Sequence, residues 1–298
     1  MRIASLVPSS TEMLFALGLG DQVVAVTHEC DHPAEAARLP HLSDTVIPPG
    51  LSPAEIDAEV KRVVGLDRPL YSLKEDVLRA AEPDLIIAQD VCAVCAVSYD
   101  DVVSIAARMP GRPTVLKQDP TDLAAVLDNA EEVAAAAGVP ESGLELKRSL
   151  RDRIDRVTSA VSGTGRRSVV ALEWLDPPFT GGHWVPEMIE LAGGTDLVGR
   201  AGEKSAETTW EELGELNPDV VVVMPCGYYV DEAREQALAY LERIRSLGPR
   251  QVFAVDAAAS YSRPGPRLVE GVELLGHLLY PELVDAPEGL SFEAVPID

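Results

Sequence analysis

Residues 88 to 101 read "AQDVCAVCAVSYDD" and set Cys92 and Cys95 three apart, directly after the apolar run "PDLIIA". Thiols at that spacing suit a redox pair or half of a metal site, and they also pack as small apolar groups. A second polar loop, "THECDHP" (Thr27 to Pro33), adds His28, Cys30 and His32. Were the two loops to converge, Cys30, Cys92 and Cys95 with His28 or His32 would make a Cys₃His set for zinc or an iron–sulfur cluster. Three readings therefore stand together: a metal site at His28, Cys30, Cys92 and Cys95, a redox pair, and packing. His183 beside Trp184 is a separate candidate, an imidazole able to ligate a transition metal, or equally to cap a helix or pack. Cys226, at the end of "PDVVVVMPC", occupies the position that mirrors Asp90.

The elements that must position these side chains follow from the pattern of apolar runs. "RIASLV", "QVVAVT", "PDLIIA", "PTVLK", "SVVALEW", "PDVVVVMP" and "QVFAVD" alternate with helical segments. Continuous apolar runs bounded by turn residues suit strands buried on both faces of parallel sheets, with helices outside. The fold class expected is α/β. The chain also echoes itself: "KEDVLRAAEPDLIIAQD" matches "WEELGELNPDVVVVMPC", and "TEMLFALGLGDQVV" matches "PEMIELAGGTDLVG" in the same order. Two related lobes are expected, 1–120 and 164–298. Residues 121–163 between them hold a linker and an amphipathic helix whose stripe is Leu144, Leu150, Ile154, Val157 and Val161 and which ends near Ser162. One such helix makes a stiff connection. In two-lobed α/β proteins ligands collect at the carboxyl ends of strands and in the crevice between lobes. The segments expected to line it are "PSSTE" with Pro8 and Ser9, "THECDHP", "QDVCAVC" with Gln89 and Asp90, "EWLDPPFTGGHW" and "YSRPGPR".

At 298 residues, 46% hydrophobic and 25% charged, the chain reads as globular. A formal charge of −24 argues against nucleic acid or an anionic membrane as partner. No apolar run approaches the ~20 residues of a membrane span, so no membrane insertion is expected. Pro8 interrupts "MRIASLVPSS" too early for a secretory leader, and Ser9 with Glu12 has capping-box spacing, marking a helix start. Four unevenly placed cysteines do not form a secreted disulfide framework. The location expected is cytoplasmic, or periplasmic or membrane-anchored and extracytoplasmic if a leader has been removed. No nucleophile elbow, phosphate loop or dinucleotide fingerprint is present, so nothing demands an enzyme.

The whole chain resembles the helical-backbone (class III) substrate-binding proteins of ABC importers, most closely their cobalamin-binding branch. The motifs that carry this are "SLVPSSTEMLFALG", the two "PD" strand entries, "WLDPPFTGGHWVPEMIELAGG" and "YSRPGPRLVEGVELLGHLLYP". The resemblance implies two Rossmann-like lobes with parallel sheets joined by one long backbone helix. It also implies an aromatic-walled interlobe cleft for cobalamin or a related metal-centred ligand. Trp174 and Phe179 would supply wall area, or equally fill the core of the second lobe. Gly181 and Gly182 would let backbone approach the ligand. His183 and Trp184 would be further contacts, His183 able to meet the cobalt of a corrinoid or the iron of a haem. Tyr261 and Arg263 stand where the family has ligand contacts. In importer members an acidic residue on each lobe docks the permease. Asp76 and Glu211, each seven residues before the proline of its "PD" turn, hold those positions. The chain departs from the family where a tryptophan after the first "PDL" strand is replaced by Gln89-Asp90-Val91-Cys92. A second family tryptophan falls near Ser205, and a family aspartate at Ala259. The function expected is ligand binding. The alternatives are a cytoplasmic metalloprotein or enzyme using the Cys/His loops, and an importer subunit whose leader is missing.

Overall fold

The computed structural model describes residues 1–66, 68–89 and 97–297. Its strands, in chain order, are β1 (Ile3–Ser5), β2 (Val23–Ala25), β3 (Ser43–Thr45), β4 (Tyr71–Leu73), β5 (Leu85–Gln89), β6 (Thr114–Gln118), β7 (Arg167–Leu175), β8 (Pro178–Thr180), β9 (Gly194–Asp196), β10 (Val220–Val223), β11 (Gln251–Val255) and β12 (Phe292–Ala294). Every apolar run read as a strand is one. The short strands β3, β4, β8, β9 and β12 carry too few apolar residues to be read from pattern alone.

The chain divides into two compact units, 1–120 with 125–149, and 121–124 with 150–298. In the first, a four-stranded parallel sheet has the order β2-β1-β5-β6. Side chains alternate across its faces. Ile3, Leu85 and Ile87 point to one side, where helices Pro8–Ala16 and Leu123–Ala136 cover them with Met13, Leu14, Ala130 and Val133. Ala4, Ile86 and Ala88 point to the other, beneath Leu78 of helix Glu75–Ala81 and Val102 and Ile105 of helix Tyr99–Arg108.

The second unit repeats the plan. Its sheet has the order β12-β11-β10-β7-β8, with β9 paired to β7. Strands β9, β7, β10 and β11 are mutually parallel, and their order matches β2-β1-β5-β6 element for element. The sequence echoes thus correspond to one strand order built twice. The edge of β7 is shared: Arg167 to Val169 pair with β9, and Leu172 to Leu175 with the antiparallel β8.

The two "PD" entries have a common physical role. Asp84 Oδ2 accepts from the backbone N–H of Arg2 at 2.8 Å, and Asp219 Oδ2 accepts from Ser168 N–H and Oγ–H at 2.9 Å each. In both units a carboxylate closes the amino end of the strand next to its own. The bonds from Ser168 hold the Asp219 carboxyl below the usual aspartate range, with help from Arg250 and Arg167. Asp219→Ala removes a charge-assisted acceptor and leaves the Ser168 N–H without it, so a loss of about 2 kcal/mol in urea unfolding is expected. Because the folded-state pKa is depressed, this contribution is complete above the unfolded pKa. It fades as pH falls from the unfolded value through the folded one, so the stability gap between wild type and variant begins to narrow below about pH 4.

Two local expectations are corrected. The first helix starts at Pro8, with Val7 as its N-cap, and Ser9 and Glu12 lie inside it, buried, with no capping box formed. Proline fits the first helical position because the N–H it lacks has no partner there. The long helix runs Pro140–Ala160, and Leu150, Ile154 and Val157 are buried as expected, followed by Val161 just past its end, but Leu144 is 45% exposed. Its place is taken by Gly143, where a Cβ would come within 2.6 Å of Ala134 Cβ and 2.7 Å of Ala130 O. A helix crossing this close needs a glycine, and the stripe therefore starts one residue earlier. The division between the two units falls within this helix.

Candidate functional site

In each unit the residues expected to meet a ligand lie where parallel strands end at their carboxyl edge, the usual place for binding in open α/β sheets. In the first unit these are Pro8 after β1, the Thr27–Cys30 loop after β2, and Gln89 at the end of β5. Asp90, Cys92 and Cys95 lie outside the described residues. His28 Nδ1 is 2.9 Å from Ser43 Oγ, and its ring packs 5.5 Å from that of Tyr71. Tyr71 donates to Glu29 Oε1 at 2.8 Å. Leu6, Pro8, Thr27 and Val97 complete a depression of about 10 Å³, enough for a single water.

Cys30 is 2% exposed and belongs to the apolar cluster of Ile3, Val7, Met13 and Leu14. Its Sγ lies 3.1 Å from Thr11 Oγ1 and 3.3 Å from Thr27 Oγ1. Those surroundings are hydroxylic and apolar, which is how a packed cysteine behaves. Among the described residues no group of three or more His, Cys, Asp or Glu able to hold a metal occurs, at His28 and Cys30 or elsewhere. The question of Cys92 and Cys95 as ligands falls outside them.

The second unit gathers its candidates around the end of β7. Trp174 pairs across the ladder with Phe179 of β8 and meets Tyr228 edge-on, ring centroids 5.5 Å apart at 67°. Its indole Nε1 is buried with no hydrogen-bond partner among the described residues, as is His183 Nε2. Burial pushes Tyr228 up, with Glu232 adding to the effect. Cys226 is exposed on the turn that follows β10. Arg263 lies part-exposed just past the short helix Ala257–Ser260 that follows β11, next to Ser262, whose Oγ accepts from Gly227 N–H at 3.1 Å.

Two expected contacts are used otherwise. Tyr261 is 3% exposed, and its Oη donates to Gly271 O at 3.1 Å; burial pushes its phenol well up. Trp184 is 6% exposed and donates from Nε1 to Tyr261 O at 2.7 Å. Both rings fill the core with their polar ends satisfied, which is why they are not presented at the surface. His183 stacks on Trp184, centroids 5.3 Å apart at 29°, and has φ +50°. Its imidazole is held below the ordinary histidine range by burial first and the Lys204 charge second. Its Nε2 is enclosed in the turn, and the ring lies against Trp184.

Sequence reasoning missed the group that organises this region. Glu173, one residue before Trp174, accepts from Gly182 N–H at 2.9 Å and from the Ser205 side chain. Segment 202–208 runs alongside 178–183: Thr180 N–H donates to Ala206 O at 3.0 Å, His183 N–H to Glu203 O at 2.6 Å, Gly202 N–H to His183 O at 2.8 Å, and Thr208 N–H to Pro178 O at 2.9 Å. The signal was an acid at the end of "SVVALEW", an otherwise apolar strand, where a charge must have a partner.

A family model described as "Periplasmic binding protein" matches residues 3–247. An uncharacterized ABC transporter substrate-binding lipoprotein of Bacillus subtilis is 24% identical over 295 residues, covering 94% of this chain and 80% of that protein. A vitamin B12-binding protein of Yersinia pestis is 23% identical over 235 residues, 77% of this chain and 71% of its own. The crystal structure of a periplasmic heme binding protein from Pseudomonas aeruginosa matches with a TM-score of 0.72 at 19% identity, covering 99% of this chain and 98% of that one.

Proposed function

The chain belongs to the periplasmic binding protein family, and from that premise we propose that it binds a flat, metal-centred macrocycle, a corrinoid or a haem. The observation that carries this reading is the aromatic group at the carboxyl end of β7, Trp174 with Phe179 and Tyr228. Ring edges and faces at a strand end offer the apolar, polarisable area that a planar ligand needs. The names of relatives support both ligand classes: one is a vitamin B12-binding protein and one a heme binding protein. Cobalamin and haemin are therefore tested side by side.

The permease-docking role follows from the same family reading. Asp76 and Glu211 sit at the same place in corresponding helices, Glu75–Ala81 and Trp210–Leu213, in the first turn and exposed. Carboxylates so placed are free to meet basic residues of a membrane partner. The lipoprotein and periplasmic relatives give no support to a cytoplasmic location. A protein processed to the cell envelope is the reading they favour.

The test is a titration of the purified protein with cyanocobalamin and, separately, haemin, followed by tryptophan fluorescence and the visible spectrum. Micromolar or tighter binding of one of them is expected, about −8 kcal/mol. No binding of either at several hundred micromolar would overturn the proposal.

A further inference from the structure

Besides the backbone bonds just described, one carboxylate ties this region together. Glu173 stands on β7 and reaches two other segments at once, the turn at Gly182 and the strap at Ser205. Those segments touch backbone to backbone: a Cβ on Gly182 would lie 2.1 Å from Ser205 N. The main chain of Glu173 is engaged as well, its carbonyl accepting from Cys226 N–H at 3.0 Å. The next residue along β7 is Trp174. One side chain therefore joins the strand that carries the aromatic wall to the turn and the strap beside it.

We propose that Glu173 is a proton-operated latch on the 202–208 strap, a positioning residue that sets the wall around Trp174 and makes cargo affinity depend on pH. The proposal rests on the ligand-binding reading for its last clause only.

The direction follows from the surroundings. Charged and titratable groups on the elements around Glu173 are Asp196 at the end of β9, His183 on the turn, and Glu203, Lys204 and Glu207 on the strap. Burial raises the Glu173 pKa most, and Asp196 adds to that; the bonds from Gly182 and Ser205 oppose it without prevailing. Asp196 is itself held up by burial, and its Oδ2 is buried with no partner among the described residues. Burial pushes both carboxyls up, so ionising either of them costs more than it would in water. A carboxyl whose pKa is raised in the closed form favours the closed form while protonated. That preference is present below its solvent-exposed pKa and is lost as pH rises through the raised value. Alkaline conditions therefore loosen the strap and acidic conditions hold it shut.

Hydrogen exchange on the ligand-free protein tests the latch without any cargo. After correction for intrinsic rates, the amides of Thr180, His183 and Gly202 are expected to open roughly tenfold more often at pH 8 than at pH 5. Glu173→Gln keeps an acceptor for Gly182 N–H and cannot ionise, so it should abolish that difference while Asp196→Asn leaves most of it. Equal pH dependence in wild type and Glu173→Gln, or none in wild type, overturns the latch. A second arm measures cyanocobalamin or haemin affinity at both pH values, with tighter binding expected at pH 5 in wild type and a flat profile in Glu173→Gln. A wild-type affinity that does not change while the amides do would remove the coupling to cargo. Binding of neither ligand would strike at the ligand reading, and the exchange result would still stand by itself.

Discussion

Gly182→Ala is expected to be the most destabilising single-methyl change in the second unit. The added Cβ would lie 2.1 Å from Ser205 N, 2.7 Å from Ser205 Cα and 2.8 Å from Lys204 C. All three are backbone atoms, so no side-chain rotation relieves the overlap. The strap must move, and in moving it stretches the bonds of Thr180 to Ala206 and of His183 to Glu203. It also draws Ser205 away from the Glu173 carboxylate. Overpacking of a fitted site costs about 1–3 kcal/mol, and a contact with rigid backbone belongs at the upper end. A fall in melting temperature of roughly 6–12 °C follows for a unit of this size. Thermal unfolding by circular dichroism measures it. A shift below about 2 °C would mean that the strap is loosely held and that Glu173 secures nothing there. Gly181→Ala is the contrast: its nearest neighbour is the side-chain atom Val185 Cγ1 at 2.8 Å, which can turn. It should cost less.

Much of this architecture was legible because the sheets are buried on both faces. Continuous runs such as "PDLIIA" and "PDVVVVMP" have only one comfortable setting, and each forms a strand as read. The internal echoes were equally reliable, since they record a strand order used twice. What the pattern could not carry was anything decided by close approach. Gly143 displaces Leu144 from the helix stripe because of where Ala130 and Ala134 lie, which is a fact of three dimensions. Pro8 overrides the Ser9–Glu12 spacing because a ring-fixed φ at the first helical position is a stronger local instruction than a hydroxyl one residue later.

The site was legible in outline and not in detail, for a related reason. Residue type tells which side chains are able to meet a ligand, but the core competes for the same aromatics. Tyr261 and Trp184 satisfy each other's neighbourhood inside the second unit, O–H to Gly271 and N–H to the Tyr261 carbonyl. Trp174, one strand end away, has no such partner for its Nε1 among the described residues. On the proposed reading, an aromatic whose polar end is satisfied inside the unit is core, and one left part-exposed without such a bond is offered to the ligand. Glu173 was overlooked because its importance comes from Gly182 and Ser205, nine and thirty-two residues further along the chain.

That same distinction makes Trp174→Ala the variant with the largest expected effect on binding. Aromatic anchors at the centre of a contact commonly account for 2 kcal/mol or more, so a loss of roughly 30-fold or greater in affinity for the preferred macrocycle is expected. The alternative use of Trp174 is to fill the core of its unit, and it makes a different forecast. Truncating a fully buried tryptophan costs about 3–5 kcal/mol of stability. Trp174 is only part-buried, its Nε1 has no partner among the described residues, and its ring meets Tyr228 by an edge. The stability loss should accordingly be well under that range while the affinity loss is large. Trp174→Phe sharpens the comparison, because it keeps a flat face beside Phe179 and removes only the indole nitrogen ring. It should bind within about fivefold of wild type if area and stacking dominate. Affinity by calorimetry and stability by urea unfolding, measured on the same preparations, separate the two uses. Unchanged affinity in Trp174→Ala together with a large loss of stability would make Trp174 a core residue, and the binding wall would have to be sought at Arg263 and the segment that follows β11.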